Sequence, residues 1–293
     1  MNELDKKKTY LNQNFKIFHI RDKLNLQFEY HHHDFNKIII FIEGDVTYMI
    51  EGKSYRLKPW DVVFINANDI HKPIINHNQY YERIVIWIKP EFIFRHNHNS
   101  DNLFTCFDIT NKNKCNILRV NLLELKEMKF LINRIKDNEV NNDFGKSILS
   151  NAMFLEFMVM INRIFLTREK NKDIENLKYD ERIDAILEYI NSNLNRSISI
   201  DEISSKFFIS KHHLMRKFKS TIGESIHNYI IKKRLILAKT YMKQGLKMKD
   251  ISEKCGFNEY STFARAFKRT YGVYPKQYIS NSRHILEHEI LDI

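Results

Sequence analysis

A chain of 293 residues with 43% hydrophobic and 28% charged residues has room for two domains of ordinary size and the composition of a soluble globular protein. Its cysteines, Cys106, Cys115 and Cys255, are odd in number and lack metal-ligand spacing, which argues against a disulfide scaffold and fits a reducing cytoplasm. No secretory signal precedes the first charged residues. No run approaches the ~18 apolar residues of a membrane helix, since Ala152–Leu166 is broken by Glu156, Asn162 and Arg163. The net charge of +11 is unevenly placed: from residue 179 onward, 20 Lys and Arg stand against 13 Asp and Glu. Such an excess suits a polyanionic partner, and a solvated lysine-rich surface would carry the same charge.

Residues 1–14 are polar and lysine-rich and read as a mobile arm. Short β-type runs follow at Phe15–Ile20, Ile38–Ile42, Val46–Ile50, Val62–Ile65 and Ile84–Ile88. Turns punctuate them at Glu43-Gly44-Asp45, Glu51-Gly52-Lys53 and Pro59-Trp60-Asp61. Strands this short and this frequent predict an antiparallel sandwich or barrel. Residues 91–121 lack clear periodicity, and the Asn- and His-rich stretch 95–102 reads as a loop. Two helical patterns come next. Leu125, Met128, Ile132 and Ile135 mark a stripe over 122–139, and Phe154, Phe157, Met158, Ile161 and Phe165 mark one over 146–168. A stripe of this kind is as readily core as interface. The charged stretch 169–180 reads as a linker.

The remainder contains one design written twice. Leu214-Met215-Arg216-Lys217-Phe218-Lys219, followed by Gly223, recurs 49 positions later as Phe263-Ala264-Arg265-Ala266-Phe267-Lys268, followed by Gly272. Ser199 and Glu202 have capping-box spacing, so a short helix is expected from Ile200. Ser210 can cap a second helix that buries Leu214 and Phe218 and stops at Gly223. Lys211, His212, Met215, Arg216 and Lys219 are then left outward. In the second copy a helix over 249–254 stops at Gly256. Another, from Glu259, buries Phe263 and Phe267 and turns Glu259, Tyr260, Ser261, Ala264, Arg265 and Lys268 outward. Each copy is a helix-turn-helix candidate. Between them, residues 224–243 form an expected helical strut of ~30 Å, close to the ~34 Å return of the major groove.

These residues carry a resemblance. Ser210…Leu214-x-Arg216-x-Phe218-Lys219…Gly223, Arg234-Leu235…Ala238, Ile251-Ser252…Cys255-Gly256-Phe257 and Phe263-x-Arg265-x-Phe267-Lys268…Gly272-x-x-Pro275…Tyr278 stand as in the DNA-binding domain of the AraC/XylS family of bacterial regulators. Tyr274 and Ile279 depart from the family pattern, at the last helix only. Further upstream, His-x-His, Glu-Gly, Gly-x-x-Tyr, Leu-x-Pro-x-Asp and His71 resemble the cupin-like sensor domain common in such regulators, with Trp60 where a Gly is usual. The resemblance implies an α+β protein. A cupin-like antiparallel barrel with two packed helices would span 15–168, and two helix-turn-helix units joined by a linker helix would span 181–282, before a tail at 283–293.

It also implies a DNA-binding transcription regulator without a cofactor, more often an activator, that works in the cytoplasm and contacts RNA polymerase. A homodimer would form through helices 122–139 and 146–168. Arg216 and Arg265 are the strongest base-contact candidates, because Arg binds guanine bidentately. His212, Met215, Tyr260 and Ser261 would adjust the sequence read, Lys219 and Lys268 would hold phosphates, and Lys211 is a further DNA-binding candidate. An intradomain salt bridge is the competing role for the two arginines. His31, His33 and His71 would line the barrel mouth around a small effector, with a sugar as the family default, and Tyr48, Arg83 and Trp87 would assist. Cupin enzymes place a Glu after His-x-His and three or four intervening residues. Here Lys37 and Ile38 stand there, which argues against a metal site and hence against a cupin enzyme fused to a DNA-binding tail. A DNA binder without an effector is the other alternative.

Overall fold

The computed structural model of the protein describes residues 14–23, 28, 30–33, 35–76, 79–98, 101–113, 115–140, 143–171 and 181–280. Residues 1–13 of the expected arm, 172–180 of the expected linker and the expected tail lie outside the described residues. The chain divides into two compact units, Met1–Tyr179 and Asp180–Ile293.

The first unit holds two antiparallel sheets. One runs β1 (Phe15–Asp22), β7 (Tyr81–Ile88), β2 (Asn36–Glu43), β5 (Val62–Ile65), β8 (Ile117–Leu118), and the other β4 (Lys53–Arg56), β3 (Val46–Ile50), β6 (His71–Ile75). Both faces of the larger sheet are buried. Ile38, Ile40, Phe64, Ile84 and Ile86 belong to the core shared with the helices, whereas Ile39, Phe41, Val63, Ile65 and Val85 belong to the core shared with the smaller sheet. Two buried faces explain why β2 and β5 read as unbroken apolar runs instead of alternating ones. The smaller sheet is harder to see in sequence. β4 offers only Tyr55 as an apolar residue, and β6 contains Pro73, tolerated because β6 is an edge strand.

Short helices α1 (Pro90–Phe94) and α2 (Thr105–Asn113) occupy the segment without clear periodicity. α3 (Leu122–Val140) and α4 (Lys146–Asn171) follow. All five stripe residues expected on α4, and Met128, Ile132 and Ile135 of α3, are buried against the larger sheet. Phe15 stacks on Phe154 at 4.1 Å and Phe64 meets Phe165 edge-on at 4.9 Å. Two expectations need correcting here. α4 continues through Asn171, into the stretch read as linker. Its window 146–168 is also long and apolar enough to cross a membrane, with a mean hydropathy of 1.4, yet 56% of it is buried inside the unit, as in a core helix. At Trp60 the backbone takes φ +72°, the left-handed turn that a Gly would supply, and the ring lies under Lys129 at 4.0 Å.

The second unit contains α5 (Glu181–Ser192), α6 (Ile200–Lys206), α7 (Lys211–Ile222), α8 (Ile226–Lys243), α9 (Met248–Lys254) and α10 (Tyr260–Tyr271), with 275–280 also helical. Ser199 caps α6 by accepting from the Glu202 N–H at 3.0 Å. The Glu202 carboxylate in turn accepts from the Ser199 backbone N–H, so the expected capping box is made in both directions. The same carboxylate binds Arg196 at 2.5 Å and the Tyr189 hydroxyl, and the Arg196 guanidinium holds its pKa down at about 2. Ser210 caps α7, and Gly223 and Gly272 end α7 and α10 at φ +86° and +79°.

Ser225 caps the strut, so α8 starts at Ile226, and its 18 residues span ~27 Å. α8 carries a core at each end. Tyr229 meets Phe218 of α7 at 5.6 Å, and Leu235, Ala238 and Met242 join Ile251, Phe263 and Phe267. Midway, the buried Arg234 donates from Nε to Leu194 O at 3.0 Å and from Nη2 to Arg196 O at 2.5 Å, tying the α5–α6 loop to the strut.

Candidate nucleic-acid interface and effector site

In both copies the second helix hides its apolar stripe and exposes its polar one. Leu214, Phe218 and Ile222 of α7 are buried, and Phe263 and Phe267 of α10 are fully so. Lys211, His212, Met215, Arg216 and Lys219 are exposed on α7, as are Tyr260, Ser261, Arg265 and Lys268 on α10. Ala264 is a correction: expected outward, it is buried, as is Ala266, because α10 is gripped along a wider face than α7.

The two arginines are available. Arg216 makes no hydrogen bond or ion pair among the described residues, and Arg265 only touches Ser261 O, one turn back on its own helix, from Nε at 3.4 Å. Among the described residues neither guanidinium is held by a carboxylate, so the competing salt-bridge role has no geometry there. Lys211 pairs with Asp201 at 2.5 Å in a solvent-exposed bridge, which is weak and leaves the ammonium exchangeable. Lys268 lies over the Tyr274 ring at 4.3 Å.

Sequence reasoning did not anticipate a cleft of about 650 Å³ at the start of α10, lined by Asn195, Arg196, Lys249, Asn258, Tyr260 and Lys276 among others. Its walls come from three distant segments, so no local signal announces it.

In the first unit the fold gathers the predicted histidines. The backbone of His31 exchanges hydrogen bonds with His71 at 3.1 and 2.9 Å, extending the β6 edge. Ring centroids then lie 4.4 Å apart for His31–His71 and 4.8 Å for His33–His71, and the Tyr48 ring is 6.2 Å from His71. Trp87 stands between Phe18 and Phe35 at 4.8 and 5.0 Å, and Phe35 in turn stacks on His33 at 4.2 Å.

His71 Nδ1 bonds Asp69 O at 2.8 Å and His33 Nδ1 bonds Phe35 O at 2.9 Å. A carbonyl can only accept, so each Nδ1 carries the proton and each Nε2 presents a lone pair. Both Nε2 atoms, and the Trp87 Nε1–H, are buried without a partner among the described residues. Burial, and then the Lys37 ammonium, push the pKa of His33 and of His71 well below the ordinary value, keeping both rings neutral.

Arg83 does not join this group. Its guanidinium grips Asp22 at 2.6 and 3.2 Å, donates to Tyr81 O at 3.0 Å and covers the Tyr81 ring at 4.0 Å, so its donors are taken up within the protein. Among the described residues, no group of three or more His, Cys, Asp or Glu side chains is placed to hold a metal ion.

Paired helix-turn-helix units with unoccupied outward arginines, and a β unit enclosing unpartnered polar atoms, define a DNA-binding protein with a ligand-binding domain. The family model for a helix-turn-helix domain matches residues 203–281, and that for the AraC-like ligand binding domain matches 16–97. The chain belongs to the AraC family of DNA-binding transcription regulators. It is 28% identical to the Photobacterium leiognathi protein named "Probable transcriptional regulator LumQ" over 253 residues, 85% of this chain and 91% of that protein. Identity to the HTH-type transcriptional activator RhaS of Shigella sonnei is 22%, over 85% of this chain and 86% of that one. Among solved structures, apo ToxT of Vibrio cholerae aligns over 92% of this chain and 97% of its own with 19% identity and a TM-score of 0.38.

Proposed function

We propose that the protein is a cytoplasmic, sequence-specific activator. α7 and α10 enter the major groove of one duplex, and a small polyhydroxy effector, a sugar in the simplest case, sits against His31, His33, Tyr48, His71 and Trp87. The observation that carries the first half is the pair of outward guanidiniums that no carboxylate holds among the described residues. Arg216 and Arg265 contact base edges there; His212, Met215, Tyr260 and Ser261 tune the sequence; Lys211, Lys219 and Lys268 grip phosphates. Two buried imidazole lone pairs and one indole N–H support the second half, since hydroxyl groups can donate to the first two and accept from the third. The sense of regulation follows the RhaS relatives, named as activators, and makes RNA polymerase a partner.

A second copy of the chain is the other partner. Phe130, Phe144 and Ile148 are exposed on or beside α3 and α4, where the family resemblance puts a dimer interface. A metal-dependent enzyme is disfavoured by Lys37, whose ammonium stands where a carboxylate ligand would be needed.

The test is an electrophoretic competition assay on an operator recovered by genomic footprinting. Arg216→Ala and Arg265→Ala should each weaken specific binding by about 1–3 kcal/mol while the melting curve stays unchanged. Undiminished specific affinity in folded variants would refute the assignment.

A further inference from the structure

Each copy begins its outward helix differently. In the first, Ser210 sits at the cap and its hydroxyl accepts from the His213 N–H. In the second, the equivalent residue is Glu259, and its side chain makes no capping bond. The carboxylate is exposed, forms no ion pair among the described residues, and takes one hydrogen bond, from the Ser261 hydroxyl at 3.1 Å to Oε2. Ser261 in turn offers its backbone carbonyl to Arg265, so three outward residues at the start of α10 are linked into one stripe.

A carboxylate on a DNA-facing surface has few partners. Phosphates repel it, and in the major groove only exocyclic amines donate. Cytosine shows N4–H₂ there, while adenine sets its N6–H₂ beside the N7 acceptor, which opposes an anion. The N-terminal residues of the second helix in helix-turn-helix proteins are those that reach base edges.

We propose that Glu259 is a specificity residue, accepting a hydrogen bond from cytosine N4 with Oε1 while Ser261 holds Oε2. This rests on α10 being a reading helix. The carboxylate contributes selectivity more than affinity, since it opposes the duplex everywhere except at the matching base.

The experiment is selection of the full chain on a randomised duplex library, with wild type, Glu259→Ala, Glu259→Gln and Arg265→Ala run in parallel. Wild type should enrich a motif with cytosine at one position. Glu259→Ala should relax that position alone, by roughly 5- to 150-fold in discrimination. Glu259→Gln should shift it toward adenine, which a carboxamide matches bidentately. An unchanged motif in both Glu259 variants, while Arg265→Ala alters it, overturns this proposal and leaves the reading of α10 intact. A uniform loss at every position in Glu259→Ala also overturns it, as does an unchanged motif in all three variants, which takes the role of α10 with it. If wild type enriches no motif, sequence-specific reading fails and Glu259 with it.

Discussion

Gly256 and Phe208 show how one backbone need is met in two ways. Both hold the left-handed residue of a helix-helix turn, at φ +73° and +50°. Gly256 has no room for more: a Cβ would lie 2.3 Å from Leu194 O and 2.8 Å from Arg234 Nη2. Gly256→Ala should therefore lower stability by about 1–3 kcal/mol, from backbone strain together with displacement of Arg234 from the Leu194 and Arg196 carbonyls. Phe208 is 94% exposed, and its side chain has little packing to lose. Phe208→Gly should raise stability by up to about 1 kcal/mol, the relief of a non-Gly left-handed residue less the added chain entropy. Chemical denaturation of the two variants checks both signs. Gly256 is legible in sequence as a helix stop, but its steric duty to Arg234 is not, because that contact spans 22 positions.

At the scale of elements, the edge formed by residue 31 and β6 carries a pH dependence. His33 and His71 have folded pKa values well below their unfolded ones. The unfolded chain takes up protons first as pH falls, so the penalty is absent above the ordinary histidine pKa of about 6.5 and grows below it. Each ring should cost up to about 1.4 kcal/mol per pH unit in that lower range. Melting of the first unit followed from pH 8 to pH 5 should show this decline, and His71→Gln should flatten it. A melting temperature independent of pH would contradict neutral burial. The histidines were legible as a group from the His-x-His and His71 pattern. Their bonding was not, since which nitrogen faces inward depends on the Phe35 and Asp69 carbonyls. The role of Arg83 is not legible for the same reason: its partner Asp22 lies 61 residues away.

For the whole molecule, two measurements separate electrostatic from apolar association. DNA affinity should fall steeply with salt, by about one decade per decade of salt for each phosphate gripped, and Lys219→Ala should lower that slope by about one. Dimerisation should instead survive salt and fail on Phe130→Asp or Ile148→Asp. These changes leave the monomer folded, because both positions are exposed. Sedimentation equilibrium distinguishes the two behaviours: a wild-type chain that is monomeric at micromolar concentration would remove the second copy from the account.

What the sequence determined by itself was local: helix starts at Ser199 and Ser210, stops at Gly223 and Gly272, the buried pairs Leu214/Phe218 and Phe263/Phe267, and the strands whose two faces are both apolar. Those follow from propensity, capping and period, which act within a few residues. Tertiary structure decided what the remaining side chains are for. It held Arg83 and Arg234 with distant partners, left Arg216 without one among the described residues, buried Ala264, and set Phe35 beside His33 and Tyr48 beside His71. Hydrogen bonds and burial are set by neighbours in space, and no spacing along the chain encodes those.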